Sequence, residues 1–335
     1  MKILIVGPAW VGDMVIAHAL VRTLRAETNG AEIHVLAPEA TASLAQRMPG
    51  VVGSTMLPVG HGELGWGARR RVGRVMRREQ FDRAIVLPNT AKAALVPLFA
   101  GIPRRTGWRG EWRYGLLNDL RSLNESRYPR MIDRFVALGR DAGAAPGDDL
   151  PPQLTADSGR ADALIATLEI DADGPILALC PGAEYGPAKR WPPPHFAAVA
   201  EAHLRRRGTV WLLGSKSDAT ACAAIVAALP EDLRGRTFDL SGRTSLLDAV
   251  DLLARASQVV TNDSGLMHVA CALGVPVVAV YGSSSPDFTP PLSNLARVVR
   301  EPLPCSPCFE RVCPLGHTDC LNRLAPERVV RELVH

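Results

Sequence analysis

Three groups of residues have the types and spacing to do chemistry: the glycine-flanked acid Gly12-Asp13, the cations Lys189-Arg190 in a Gly/Pro-rich loop, and the run Thr261-Asn262-Asp263-Ser264-Gly265-Leu266-Met267-His268. That run follows Ser257-Gln258-Val259-Val260 and opens on Val269-Ala270-Cys271-Ala272, so it reads as strand, tight turn, helix, with Asp263 or Ser264 as N-cap. Such a turn aims unpaired main-chain N–H groups and the positive end of a helix dipole beyond the strand. A phosphate is the natural ligand there, with Asp263 and His268 in reach of nearby hydroxyls. On its own the run fits an ordinary capped helix equally well.

The acid belongs to a second strand-to-helix turn. Lys2-Ile3-Leu4-Ile5-Val6 is a continuous apolar run, typical of a buried parallel strand, and leads through Gly7-Pro8-Ala9-Trp10-Val11-Gly12-Asp13 into helical spacing from Met14 to Leu24. The loop lacks the Gly-x-Gly-x-x-Gly order of a dinucleotide site. It is no Walker loop either, because Asp13 and Met14 stand where Lys and Ser/Thr are needed. A carboxylate there repels phosphate; it is suited to take a proton from a hydroxyl, or it merely caps its helix. The loop Cys180-Pro181-Gly182-Ala183-Glu184-Tyr185-Gly186-Pro187-Ala188-Lys189-Arg190-Trp191-Pro192 carries the opposite sign, and its lysine can neutralise charge on a leaving phosphate. A surface salt bridge is the plainer alternative.

Around these turns, apolar runs alternate with helical patterns: Ala31 to Leu36, Glu39 to Arg47, Phe81 to Leu87, Gly159 to Leu168, Pro175 to Leu179, a helix from about Pro194, Thr209 to Ser215, Phe238 to Gly242, and Val277 to Ser283. Strands alternating with helices make parallel sheets, so the fold class is α/β. The 335 residues suffice for two cores. Pro, Gly and Asp gather over Ala144 to Pro152 as in a linker, giving domains 1–155 and 156–335.

A net charge of +4 is too small to argue nucleic-acid binding, and no nucleic-acid module is present. The arginines cluster, however. Arg69, Arg70, Arg71, Arg74, Arg77 and Arg78 fall between Glu63 and Gln80, with Arg70, Arg74, Arg77 and Arg78 on one helical face. Arg104, Arg105, Arg109 and Arg113, interleaved with Trp108, Trp112 and Tyr114, extend the basic character. A solvated helix is the ordinary fate of such a run; a surface for phosphate and carboxylate groups is the functional one. Lys2 is followed by a short apolar run that meets Gly7, Pro8 and Asp13, so no secretory signal is expected, and any membrane contact is expected to be peripheral.

Taken together, Gly12-Asp13, Pro181 to Glu184 with Lys189 to Pro192, Leu240-Ser241-Gly242, and Asn262 to His268 resemble the ADP-heptose:lipopolysaccharide heptosyltransferases, a family of GT-B glycosyltransferases. The string Gly186 to Pro192 and the tail Cys305 to His317 are more similar to the second of the family's heptosyltransferases than to the first. The resemblance implies two Rossmann-like domains with parallel sheets facing a cleft, the first binding acceptor and the second donor. A last helix near 325–335 is expected to pack back on the first. It implies inverting transfer of L-glycero-D-manno-heptose from ADP-heptose to the first heptose of the inner core, with neither metal nor other cofactor.

By motif match Asp13 would be the base and Lys189 the stabiliser of the departing diphosphate. Gly182, Glu184, Asp218, Ser241, Asp263, Ser264, Gly265, Leu266 and His268 would hold the donor; Gly12, Arg70, Arg74, Arg77 and Arg104 would meet a lipid A-Kdo-heptose acceptor. The implied address is the cytoplasm, peripheral to the anionic inner membrane. A related transferase, a sugar-nucleotide epimerase and a non-catalytic nucleotide-sugar binder are the other readings. Of the cysteines, Cys180, Cys222 and Cys271 sit in strand or helix patterns and are expected to be buried. Cys305, Cys308, Cys313 and Cys320 cluster with His317; the opening Cys-x2-Cys has a metal-ligand spacing, but a thiol-rich hairpin without metal is expected.

Overall fold

The computed structural model describes residues 1–60, 62–145, 147 and 149–334. The chain divides into two compact units, Met1–Leu154 and Thr155–His335. Of the proline- and glycine-rich stretch 144–152, Pro146 and Asp148 lie outside the described residues. The first unit holds strands β1 (Lys2–Val6), β2 (Glu32–Pro38), β3 (Val51–Leu57), β4 (Arg83–Val86), β5 (Arg104–Trp108) and β6 (Asp119–Arg121). The second holds β7 (Ile176–Cys180), β8 (Thr209–Leu212), β9 (Thr237–Asp239), β10 (Gln258–Asn262), β11 (Val277–Tyr281) and β12 (Ala296–Arg300).

The sheets run β3-β2-β1-β4-β5-β6 and β12-β11-β10-β7-β8-β9. Numbered within its own unit, each therefore has the order 3-2-1-4-5-6 of a doubly wound sheet, and the named strands pair in parallel. The central strands are apolar along their length because helices cover both faces: Ile3, Leu4 and Ile5 are buried in one sheet, and Leu177, Ala178 and Leu179 in the other.

The structure departs from the sequence reading in three places. The helix expected over Glu39 to Arg47 is a short α-helix, Glu39–Ala42, followed by a 3-10 turn, Ser43–Arg47. Thr261 and Asn262, expected in the turn, extend β10 and pair with Ala279 and Val280. The cysteine-rich tail is an irregular loop leading into the short helix Asp319–Asn322, not a hairpin. Within the second unit the last helix is Pro326–Val330. Val329 and Leu333 share a core with Trp191 and Phe196, and the Gln258 amide donates to Glu332 O (2.9 Å) while accepting from Val334 N (2.8 Å).

Candidate active site

In a sheet of this order, ligands bind outside the C-terminal ends of the first and fourth strands, where successive connections diverge to opposite faces. In the second unit those strands are β7 and β10. The loop after β7 ends in a single 3-10 turn, Pro187–Lys189, and the turn after β10 is Asp263-Ser264. They meet in one ion pair: Lys189 Nζ lies 2.6 Å from Oδ2 of the buried Asp263. The ammonium also stands 5.0 Å over the Tyr185 ring, whose phenol Oη donates to Phe309 O (2.6 Å).

Ser264 is the N-cap of the helix Gly265–Ala272, and its side chain does not cap it; its Oγ lies 3.2 Å from Thr261 Oγ1. The N–H groups of Gly265, Leu266 and Met267 therefore have no intrahelical acceptor. His268, in the same first turns, is buried, and its Nδ1 has no hydrogen-bond partner among the described residues. Burial pushes its pKa down to about 4, so the imidazole is neutral near pH 7.

The loop carrying Lys189 is closed by a residue that the sequence reading left without a role. Asn262, fully buried at the end of β10, donates from Nδ2 to Pro181 O (2.6 Å) and accepts from Trp191 N (3.0 Å), joining both ends of the loop. The signal was an amide ending an otherwise apolar run, but its partners lie 81 and 71 residues away. Along the loop, Ala188 N donates to Arg311 O (3.1 Å), and a Cβ on Gly186 would come within 2.4 Å of that same oxygen. Only glycine admits the cysteine-rich segment so closely.

The remaining second-unit candidates differ in how available they are. Glu184 is exposed and Gly182 half-buried. Asp218 is buried and committed locally: its Oδ2 accepts from Ser215 N (2.9 Å) and Ser215 Oγ (2.8 Å), and a Cβ on Gly182 would come within 2.5 Å of its carboxyl group. Ser241 donates from N (2.9 Å) and Oγ (2.6 Å) to Asp239 Oδ1. Both serve first as turn-stabilising groups.

In the first unit the matching strands are β1 and β4. β1 runs through Gly7 to Trp10 into the helix Val11–Glu27, with Trp10 as N-cap and Asp13 as the first-turn acid, half-buried beside Gly12. Asp13 is thus inside the helix, where the dipole favours a carboxylate, and the cap position is not its own.

The arginines separate. In the helix Trp66–Met76 the buried positions are Arg69, Gly73 and Met76, one helical stripe; Arg69 Nε donates to Leu64 O (2.6 Å), and burial lowers its pKa. Arg70, Arg71 and Arg74 face solvent. The helix ends at Met76, so Arg77 and Arg78 lie on a following 3-10 turn, and Arg77 Nη2 donates to Phe99 O (3.1 Å). Arg104 stands at the N-terminal end of β5, level with Ile3, and pairs with Asp119 (3.1 Å). That is the opposite end of the strands from the one that leads into Gly12 and Asp13.

Cys180, Cys222 and Cys271 are buried, and burial raises their pKa values, to about 12 for the last two. They are unreactive packing residues. All seven thiols are free, and among the described residues no group of three or more His, Cys, Asp or Glu side chains is arranged to hold a metal ion.

Residues 69–319 match the family model "Glycosyltransferase family 9 (heptosyltransferase)". The chain is 46% identical over 339 residues to lipopolysaccharide heptosyltransferase 2 of Salmonella typhimurium, covering 99% of this chain and 97% of that one. The Escherichia coli K12 protein of the same name gives the same figures. Among solved structures, E. coli ADP-heptose lps heptosyltransferase II superposes with a TM-score of 0.89 at 44% identity, covering 99% and 97% of the two chains. The protein is a glycosyltransferase of the GT-B fold class. It belongs to glycosyltransferase family 9, the heptosyltransferases.

Proposed function

We propose that this chain is the second heptosyltransferase of the lipopolysaccharide inner core. It moves L-glycero-D-manno-heptose from ADP-heptose to the first core heptose, inverting the anomeric carbon without a catalytic metal. The observation that carries the reading is likeness along the whole chain to heptosyltransferase 2, with 46% identity across 99% of its length. In this account the second unit takes the donor. The open N–H groups at Gly265 to Met267 receive the diphosphate, and Lys189 turns from Asp263 toward it. His268, neutral and with Nδ1 unpartnered among the described residues, offers a hydrogen bond to ligand oxygen.

The first unit takes the acceptor. Asp13 accepts the proton of the attacking hydroxyl as its oxygen bonds to the anomeric carbon; the bond to the β-phosphate oxygen breaks, and its electron pair leaves with ADP. Charge grows on that oxygen, where a fixed cation stabilises the transition state more than the ground state. Following ADP release from ADP-heptose, with and without heptosylated Kdo-lipid A, tests the function. Acceptor-dependent release that survives a chelator supports it. An epimerase alters the sugar with no acceptor, and a mere binder releases nothing.

The acceptor is lipid-anchored, and the proposed address is the cytoplasmic face of the inner membrane. Among the described residues no helix is long and apolar enough to cross a membrane. Arg70, Arg71, Arg74 and Arg78, exposed alongside Leu64, Trp66 and Val75, suit an anionic lipid surface.

A further inference from the structure

Trp112 and Tyr114 are the most conspicuous exposed aromatics of the first unit, at 88% and 62% exposure, with ring centroids 5.8 Å apart in an edge-to-face pair. Burying such a side chain is worth about 1.5–3 kcal/mol, so leaving two in water needs a reason. Looseness is not that reason. Between them Arg113 is fully buried, donating from Nη1 to Pro88 O (2.6 Å), from Nη2 to Asn89 Oδ1 (3.1 Å) and from Nε to Trp108 O (3.1 Å). Glu111 donates from N to Asn89 O (3.1 Å), and its carboxylate accepts from Ala91 N (2.8 Å). Arg109 N donates to Arg121 O (2.6 Å), fixing the start of the loop.

The place is as telling as the rigidity. The loop leaves the C-terminal end of β5 and is bonded to Pro88, Asn89 and Ala91, which follow β4 at the switch point next to β1. This is the edge of the sheet that carries Gly12 and Asp13. We infer that residues 109–114 form a platform for a sugar ring of the acceptor, with Trp112 and Tyr114 against its C–H face and Arg109 meeting an acidic substituent. A pyranose has an apolar face and a polar rim, which suit an aromatic surface with a phenol at its edge. The exposed guanidinium of Arg109 matches a carboxylate in two parallel hydrogen bonds. Because the main chain is already fixed, little ordering opposes binding. The inference rests on the assignment of the acceptor to the first unit.

Steady-state kinetics with a deacylated, heptosylated, Kdo-bearing acceptor test it. Trp112→Ala should raise the acceptor KM about tenfold or more, leaving kcat and the ADP-heptose KM close to wild type, and Trp112→Phe should recover most of the loss. Arg109→Gln should raise the same KM several-fold. A second arm needs no turnover: acceptor alone should shield tryptophan emission from acrylamide in the wild type but not in Trp112→Phe. Unchanged acceptor KM in Trp112→Ala, or loss confined to binding of acceptor-free anionic vesicles, would overturn the platform and make the aromatics a membrane or protein contact. A wild type that binds acceptor with this shielding yet transfers nothing sinks the functional reading and leaves the platform standing.

Discussion

The two halves of the molecule have one strand order and opposite chemistry at the same topological position. At the switch point of the first sheet a helix presents Asp13 in its first turn, behind a loop without a cation. At that of the second, Lys189 is paired with Asp263 beside a helix whose first N–H groups have no intrahelical acceptor. On the proposed reading the scaffold fixes where a ligand goes, and short loops fix the sign of charge it meets. Proton removal from a hydroxyl and stabilisation of a leaving diphosphate need opposite signs. A doubled fold can supply both without forcing one loop to compromise.

Variants that reverse or erase this difference should have the largest effects. Asp13→Ala should lower kcat by a factor on the order of 10³ or more, the upper range for a lost general base. Retention of most turnover would make Asp13 a helix-dipole residue only. Lys189→Ala should lower kcat by a factor on the order of 10² and also raise the donor KM, because it meets charge present before and during bond breaking. A near-normal rate would assign the diphosphate to the helix N-terminus alone.

Acid exposes a likeness rather than a difference. His18 in the first unit and His268 in the second are each pushed down to about 4 by burial. His18 is held neutral by geometry as well: Nε2–H donates to Pro49 O (2.8 Å), so Nδ1 accepts from Gln153 N (2.9 Å), an assignment that follows from its two partners. With folded pKa values below the ordinary 6.5, the unfolded chain binds more protons between those limits. Stability is therefore full above pH about 6.5 and falls as pH drops toward 4, by on the order of 3 kcal/mol per buried histidine at most. Asp149, raised by burial and by Asp133, works in the opposite sense and offsets part of the loss. Thermal denaturation between pH 7 and 4 should show the fall, and His18→Gln should flatten it.

The smallest effect belongs to the arginine helix. Replacing Arg70, Arg71 and Arg74 with Gln should raise the acceptor KM and weaken anionic-vesicle binding a few-fold, and the difference should vanish toward 1 M salt as the Debye length shrinks to about 3 Å. Equal co-sedimentation at low salt would reduce the face to ordinary solvation. Arg69 is left out because it is a buried structural residue.

Much of the fold was legible because buried parallel strands are written as unbroken apolar runs: β1, β7 and β11 stand out at once. β5, with Arg104, Arg105 and Gly107, and the edge strand β12, with Arg297 and Arg300, do not, because their partners rather than their composition make them strands. The site divides in the same way. Asp13, Lys189 and the Asp263 turn are local signals at strand-to-helix junctions. Asn262 is decided by contacts many residues away, and the split of Arg69 from Arg70 by a rotation of one residue around a helix. An arginine count sees neither.

The division of labour is tested most directly by titrating ADP-heptose calorimetrically into wild type, Asp13→Ala and Lys189→Ala, each also assayed for transfer. The account predicts that Asp13→Ala binds donor within about twofold of wild type while transfer is lost, and that Lys189→Ala binds about tenfold more weakly. Donor affinity lost equally in both variants, or lost in Asp13→Ala and kept in Lys189→Ala, would contradict it.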